Sequence, residues 1–358
     1  MSSSQKLNAT IILCLLLSPT AKSSQSYDQN IRADDHAPNM IMGDHTHEAG
    51  EIMLSYRYSY MNMKGNKVNS SSISMREIIS NESNRFFGLP GQPPNLRVVP
   101  TKMSMEMHML GLMYAPRNYL TIMAMSNYTK RKMTHTTFAG GAGTDIAGQF
   151  ETRSSGLGDL KLTALFNVLK GRNKIILGAG FNFPMASTNS KDVILAPNRG
   201  RPKVLLPYAM QNGSGTFDFM PLLTYSGRKN KISWGAQWAT TLRLHKSNNY
   251  KLGNDHKFSS WLSYLLTQNI SASGRVAVNH IGKIKGINPN IELPVQSADP
   301  NNYGGQKVDI IFGLNLIPSN IEKKFRINLE AGLPILQDLN GPQLKRNFSF
   351  NFGVQYAF

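Results

Sequence analysis

The stretch NFSFNFGVQYAF, residues 347–358, decides the class of fold. It alternates with period two, the spacing of a β-strand whose successive side chains point to opposite faces. One face is apolar and carries Phe348, Phe350, Phe352, Val354, Tyr356 and Phe358. Soluble sandwiches and transmembrane strands both alternate in this way. An aromatic strand that ends on a terminal Phe is typical of outer-membrane barrels, and we expect barrel assembly machinery to bind the Phe358 strand.

The same alternation recurs along the chain. It is clear in EIMLSYRYSYM (51–61), LKLTALFNV (160–168), KISWGAQWATTLRL (231–244) and KFRINLEAGL (324–333). In the last stretch Arg326 and Glu330 fall on the polar face, where burial in a dry core would be costly. A water-filled lumen removes that cost. We count about twelve such strands, and even numbers are usual in bacterial outer-membrane barrels.

The gaps between the predicted strands alternate in length. Short turns are expected at APRN, KGRN, SGRKN, SASG and PSNIEK. Long loops are expected at 63–101, 129–156, 185–214, 245–255, 283–305 and 334–345. Short periplasmic turns and long extracellular loops characterise membrane barrels. The sequence therefore predicts an all-β fold, a transmembrane antiparallel up-and-down barrel of about twelve strands.

Composition and the N-terminus support export to the cell envelope. The chain has 39 Lys and Arg against 21 Asp and Glu, scattered through turns and loops and not gathered on one helix. This pattern argues against nucleic acid as a partner and fits anionic lipid and lipopolysaccharide. Residues 1–23 resemble a signal peptide, with an apolar TIILCLLL core. Its Cys14 is the only cysteine, so the mature chain would form neither disulfides nor thiolate metal sites.

Three segments follow from this pattern: the signal peptide, a His- and Met-rich periplasmic segment at 24–50, which could fold into the barrel as a plug or lie at its rim, and the barrel at 51–358. Strand parity predicts which residues line the lumen. These candidates are Arg57, Glu106, His108, Asp159, Lys161, Asp218, Gln237, Asp309, Arg326 and Glu330. The aromatic-girdle candidates are Tyr56, Tyr58, Tyr60, Trp234, Trp238 and Phe358.

Two related phrases lead into strands, Ser155–Asp159 in SSGLGD and Ser214–Asp218 in GSGTFD. One interpretation is structural, because Gly relieves crowding at the strand entry and Asp binds local backbone amides. The other is a ring of carboxylates, completed by Asp309, that biases a pore towards cations. The sequence leaves both open.

The chain resembles the outer-membrane transporter family named for the MetA pathway of phenol degradation. The resemblance rests on HAPNMIMGDHTHEAGEIMLSYRYSYMNM, MEMHMLGLMYAPRNYLTIMAMSNY, SSGLGDLKL and LPYAMQNGSGTFD, and covers about His36 to Phe358. It implies an outer-membrane barrel that moves small, often hydrophobic compounds. It implies no catalytic residues.

Histidine and methionine are concentrated in two stretches. In KMSMEMHMLGLMYAP (102–116) we expect Glu106 and His108 to face the lumen and the alternating methionines to face lipid. In HAPNMIMGDHTHEAGE (36–51), a copper site is chemically reasonable, because thioether and imidazole are the ligands left without cysteine. Its candidate ligands are His36, Met40, Met42, His45 and His47.

The predicted function is passive passage of small, possibly hydrophobic or aromatic solutes through the lumen. The alternatives are a copper-handling barrel of the envelope and a structural barrel without transport. An enzyme is not expected. Barrel phospholipases need a His–Ser pair with an orienting amide on the lipid-facing wall, and His135, His245 and His256 have no such partners at strand parity.

Overall fold

The protein is described by a computed structural model covering residues 31–318 and 325–358. The predicted signal peptide and the first residues of the periplasmic segment lie outside these residues. The strands are β1 (Ile52–Asn69), β2 (Ser71–Ile73), β3 (Val98–Arg117), β4 (Leu120–Phe138), β5 (Ile146–Leu157), β6 (Leu160–Leu169), β7 (Asn173–Phe183), β8 (Lys191–Val193), β9 (Lys203–Leu205), β10 (Asp218–Lys229), β11 (Ile232–Arg243), β12 (Tyr250–Lys251), β13 (Asp255–Thr267), β14 (Ile270–Ile281), β15 (Lys285–Gly286), β16 (Gly305–Leu316) and β17 (Phe325–Ala357).

Within the described residues, helical structure is confined to short segments between strands. Helix α1 spans Met75–Asn81, and two single 3-10 turns span Tyr208–Met210 and Gln296–Ala298. Ser74 and Glu77 form a capping box at the start of α1, a signal that sequence analysis overlooked. No helix in the described part of the chain has the length and apolar character needed to cross a bilayer.

Eleven antiparallel strands form one closed barrel. Their order around the wall is β1, β3, β4, β6, β7, β10, β11, β13, β14, β16 and β17, and β17 pairs back with β1. The closing register runs from Met53 opposite Ala357 to Lys67 opposite Gln343. The predicted all-β antiparallel barrel is confirmed, and the C-terminal aromatic stretch forms its seam.

Strand β17 contributes two passes along the wall, so the total number of passes is even. A fully antiparallel barrel needs an even number of passes, because neighbouring passes must run in opposite directions all the way round. Eleven strands can therefore close the barrel only if one of them reverses direction. In β17 the segment Ile327–Leu339 pairs with β16, and the segment from Gln343 onward pairs with β1. The reversal lies near Gly341, whose φ is 67°. The chain thus passes along the wall twelve times, and the predicted long loop at 334–345 is wrong because it is strand on both sides of a tight turn.

Two other predicted loops differ from the structure. The predicted loop 129–156 mostly forms an extended hairpin, because the distal part of β4 pairs with β5 while its proximal part pairs with β6. The predicted turn SASG lies inside β14, with Ala272 opposite Tyr264. The real turn is at 268–269.

The outer surface is apolar around the barrel. Leu110 is 67% exposed and Phe312 is 65% exposed, which would be a large liability in water and is the requirement of a lipid-facing wall. The girdle candidates Tyr56, Tyr58, Tyr60, Trp234 and Trp238 share this face by strand parity. Other exposed members include Leu54, Leu112, Ile122, Leu162, Phe166, Leu177, Leu223, Phe258, Leu262, Val276, Leu314, Leu333 and Phe350.

Strand β3 has the opposite orientation to the one predicted. Leu110, Leu112 and Tyr114 are exposed on its outer face, while Met109 and Met113 are buried inside. The register of β3 is continuous through this region. Glu106 and His108 therefore lie on the outer face, and the methionine row faces the interior. The leucines and Tyr114 nearer the short turn set this parity, because apolar side chains are preferred there against lipid.

Glu106 and His108 have polar neighbours on that outer face. Nδ1 of His108 is 2.8 Å from the hydroxyl of Tyr56 in a hydrogen bond, and Glu106 is directly opposite Lys130 on β4. Glu106 lies in the half of β3 remote from its short turn, and His108 lies just past the middle of the strand. A charge nearer the membrane interface costs less than one at mid-bilayer, and the hydrogen bond with Tyr56 satisfies the His108 ring.

Candidate functional site

Residues 32–50, which we call the inner segment, cross the inside of the barrel. Arg57 Nε donates to the carbonyl of Asn39 at 3.0 Å, and Gln237 Nε2 donates to the carbonyl of Met42 at 2.7 Å. These two partners stand on strands well separated around the wall. Further contacts come from Thr121, Asn167, Thr224, Asn315, Arg326, Glu330 and Gln355. The inner segment is therefore held by polar groups from most of the wall.

The contacts lie towards the short-turn end of the barrel. The amide of Ala33 donates to the carbonyl of Gln268, beside the β13–β14 turn, at 2.9 Å. The amide of Ala49 donates to Asn118 Oδ1, in the β3–β4 turn, at 2.7 Å. Short turns are periplasmic in outer-membrane barrels, so the inner segment occupies the periplasmic half of the lumen.

Two glycines make room for the inner segment. A Cβ at Gly353 on β17 would overlap the side chain of Asn39. Gly43, within the segment, has a φ of 72° and lies against Leu165 and Leu222 of the wall. A β-branched side chain at Gly353 is therefore incompatible with the docked segment, and Gly43 supplies a backbone conformation that other residues rarely adopt.

A buried ion pair stands at the centre of this arrangement. Arg275 binds both carboxylate oxygens of Glu330 at 2.9–3.0 Å, and the amide of Met40 donates to Glu330 Oε2 at 3.0 Å. The side chain of Glu330 packs against Gly313, where an added Cβ would lie 3.2 Å from Glu330 Cγ. Bidentate pairing fixes geometry as well as charge. Glu330 is among the predicted lining residues, whereas Arg275 is not.

The other predicted lining residues have the following positions. Arg326 donates to the carbonyl of Arg32 at 3.0 Å, so it also holds the inner segment. Lys161 is on the inner face, opposite Asn182. Asp309 forms an ion pair with Arg346. Together with Arg57, Gln237 and Glu330, these residues face the barrel interior.

Asp159 and Asp218 join the long loops to the wall. Asp159 accepts from the amide and hydroxyl of Ser214 at 2.9 and 2.7 Å. Asn182 Nδ2 lies within 3.1 Å of both carboxylates, and Arg243 pairs with Asp218. These contacts favour the structural interpretation of the two Ser-Gly-x-x-Asp phrases. A carboxylate bound in this way offers few free lone pairs to a passing cation.

The inner segment brings three histidines together. The ring centroids of His36 and His45 are 4.0 Å apart, and those of His45 and His47 are 5.0 Å apart. Ligand atoms of His36, Asp44 and His45 lie within 4.8 Å of one another. Burial lowers the pKa of His36 and of His45, so both rings are neutral near neutral pH.

The predicted methionine ligands are placed differently from the histidines. Met42 packs against an apolar cluster inside the wall formed by Met53, Met113, Met123, Leu165 and Ile176. Met40 contributes its backbone amide to Glu330. The structure thus groups the imidazoles with Asp44, a residue that the predicted ligand set did not include.

Methionines line the inner face of β3 and meet methionines of the neighbouring strands β1 and β4 at both ends of that row. Met53, Met113 and Met123 are directly opposite one another across β1, β3 and β4 near the inner segment. Met63, Met103 and Met133 are opposite one another towards the long-loop end. Further methionines on the same face between them are Met61, Met105, Met107, Met109 and Met125. We call this surface the methionine wall. Barrel lumens are usually polar, so it is a distinctive feature of this chain.

A cavity of about 480 Å³ lies among the long loops. Its lining is mainly apolar and includes Phe150, Ile194, Ala196, Leu206, Leu293 and Val295. Met133 and Met210 also line it, and these two pack with Met103. The cavity therefore adjoins the distal end of the methionine wall.

The cavity has a few polar atoms and a braced rim. His135 is stacked on Phe150, with centroids 4.7 Å apart. Within the described residues, His135 Nδ1 and Thr152 Oγ1 are buried without a hydrogen-bond partner. Arg97 donates to the carbonyls of Ala139, Gly140 and Gly143 at 2.6–3.1 Å, which holds the adjacent loop. A preformed apolar pocket with a few polar atoms is the usual form of a small-molecule site.

Comparison with known proteins defines the fold. No protein-family model matches the chain, and no curated protein matches it. An outer-membrane channel from Pseudomonas putida F1 is similar in structure, with a TM-score of 0.57 and 12% identity over 88% of this chain and 98% of that one. Weaker similarities are to the β domain of the Bordetella autotransporter BrkA (TM-score 0.46, 11% identity, 86% and 100% covered) and to a TodX monoaromatic hydrocarbon channel variant (0.42, 9%, 87% and 91%).

The first of these similarities is close enough to show the fold. Together with the closed wall and the apolar outer surface, it defines the fold as a transmembrane β-barrel of the outer-membrane type, as the sequence predicted. The resemblance to the MetA-pathway family stays a prediction, because no family model matches.

Proposed function

We propose that the protein is an outer-membrane channel for small apolar or aromatic molecules and that its inner segment is a movable plug. The observation that carries this proposal is the way the segment closes the barrel. It occupies the periplasmic half of the lumen, yet it is held by hydrogen bonds, an ion pair of Asp35 with Arg228 and the packing of Met42, and not by regular strand pairing. Polar contacts of this kind can be exchanged for water when the segment moves.

The route proposed for a solute begins at the cavity among the long loops. A molecule would leave the cavity past Met133 and Met210, follow the methionine wall and reach the plug. Methionine suits such a path, because its flexible and polarisable side chain adapts to apolar and aromatic partners of different shapes. His135 and Thr152 would offer hydrogen bonds to a polar substituent on the solute.

Filling the cavity should reduce the flux of aromatic solutes. Ala196 lines the cavity, and we expect Ala196→Trp to lower aromatic uptake into proteoliposomes towards the rate of protein-free vesicles. Ala142→Trp on the neighbouring exposed loop should leave uptake unchanged, since residue 142 does not line the cavity. Equal uptake by the two variants would contradict a route through this cavity.

The methionine wall favours a second candidate function, the passage of soft metal ions such as copper(I). Thioethers select copper(I) over harder ions, and the wall continues from the long-loop end to the plug. We expect the triple variant Met105→Leu/Met107→Leu/Met109→Leu to abolish uptake of silver(I), a probe for copper(I), while the near-equal volume of leucine keeps aromatic flux unchanged. Unchanged silver uptake in the triple variant would exclude this candidate.

A further inference from the structure

We propose that the inner segment binds one divalent transition-metal ion, of the zinc or copper(II) type, through the imidazoles of His36 and His45 beside Asp44, a cluster whose ligand atoms lie within 4.8 Å of one another. The ring centroids of His36 and His45 are 4.0 Å apart inside the barrel, and His47 adjoins the other side of His45 at 5.0 Å. This site is independent of whether the barrel conducts solutes, because it is a property of the docked segment.

Each imidazole has one nitrogen held by an oxygen. Nδ1 of His45 is 2.8 Å from Asp44 Oδ1, Nδ1 of His36 is 3.1 Å from Gln355 Oε1, and Nδ1 of His47 is 3.3 Å from a carboxylate oxygen of Glu51. Metal-binding histidines usually have their second nitrogen oriented in this way by a carboxylate or carbonyl group. The Nε2 atom of each ring is then the one offered to an ion.

Two of these Nε2 atoms are buried without a partner. Within the described residues, His45 Nε2 and His47 Nε2 have no hydrogen bond. Burying an unpaired polar nitrogen costs free energy, and that cost falls on two neighbouring residues of the same segment. An ion bound at the cluster would satisfy His45 Nε2.

The ligand types select the class of metal. Imidazole with a nearby carboxylate suits zinc and copper(II), whereas copper(I) prefers thiolate and thioether. Met42 packs into the apolar cluster on the wall. The cations Arg172, Lys174 and Arg228 line the same small space, but so do Asp34, Asp35 and Asp44. The three carboxylates therefore balance the positive charge of the three cations, which would otherwise repel a metal ion near the imidazoles.

The test uses the full mature chain without an affinity tag, treated with chelator and dialysed against zinc or copper(II). We expect one bound equivalent for the unmodified protein and none for His36→Ala/His45→Ala. The control His256→Ala/His280→Ala removes two other neighbouring imidazoles, on β13 and β14, and should keep one equivalent. Asp44→Asn, which leaves all three imidazoles in place, should weaken binding about 10–100-fold.

Near-zero metal in the unmodified protein would overturn the proposal. So would equal binding by the two double variants, which would place the metal elsewhere. Nitrogen hyperfine structure in the copper(II) spectrum, lost only in His36→Ala/His45→Ala, supports imidazole ligation. Heat-modifiable migration of each variant on a gel verifies that the barrel is folded, and the single substitution Asp44→Asn provides a second readout if the double variant does not fold.

Discussion

Deletion of residues 32–47 is expected to convert a closed barrel into a steadily conducting pore. The deleted residues provide the groups that contact Arg57, Gln237 and Glu330 across the lumen. The wall itself closes through β1 and β17, starting at Met53, and needs none of them. Planar-bilayer recording should therefore find long-lived openings in the deletion variant and, at most, brief ones in the intact chain.

A matched pair of glycine substitutions separates loss of the plug from general damage. Gly353→Val places a side chain where Asn39 passes, whereas Gly274→Val adds one where the structure has open space. Both positions are in wall strands. We expect conductance to rise in Gly353→Val alone. If both variants stay closed, or if the deletion variant conducts no more than the intact chain, the inner segment is not the closure.

Glu330→Ala is expected to destabilise the barrel by about 3–5 kcal/mol, the typical cost of leaving one partner of a buried ion pair alone. Arg275 would keep its charge with its side chain only 7% exposed. The amide of Met40 would also lose its acceptor, so conductance should rise as the inner segment loosens. Denaturant unfolding of detergent-refolded protein measures the first effect, and bilayer recording measures the second.

The double variant Arg275→Gln/Glu330→Gln should restore the stability that Glu330→Ala loses. Two neutral amides retain hydrogen bonding and leave no buried charge, so most of the lost stability should return. Glu106→Ala, on the outer face, should change the free energy of unfolding by much less. A Glu330→Ala barrel as stable as Glu106→Ala would mean that lumen water solvates Arg275 and that the ion pair does not hold the wall.

The barrel was predictable because its signals are local. The alternation of apolar and polar residues along β1, β6, β11 and the C-terminal strand can be recognised within about ten residues of sequence. The alternation of short turns and long loops follows from the closed antiparallel order of the strands. The orientation of β3 was predicted wrongly because both faces of this strand are largely apolar. Methionines lie on one face, and Leu110, Leu112 and Tyr114 lie on the other. The leucines should have decided its parity, since lipid contact is their more common role in such a strand.

The site was harder to predict because it depends on contacts distant in sequence. Arg275 and Glu330 are separated by 55 residues, and Met40 and Glu330 by 290. Alternation placed Glu330 and Gln237 on the inner face but could not reveal that the inner segment binds them. The histidine cluster was predicted from composition. Its association with Asp44, and the separation of Met42 from it, follow from the backbone path through Gly43, whose φ is positive.

A reversible cross-link tests the central claim most directly, namely that solutes pass only when the inner segment moves. The chain has one cysteine, Cys14, within the predicted signal peptide, so a mature Asn39→Cys/Gly353→Cys variant would carry only the engineered pair. These positions face each other in the docked state. The account predicts that the disulfide forms under oxidation, that aromatic solute uptake then stops, and that reduction restores it. Failure of the disulfide to form, or equal uptake by the oxidised and reduced protein, would contradict the account.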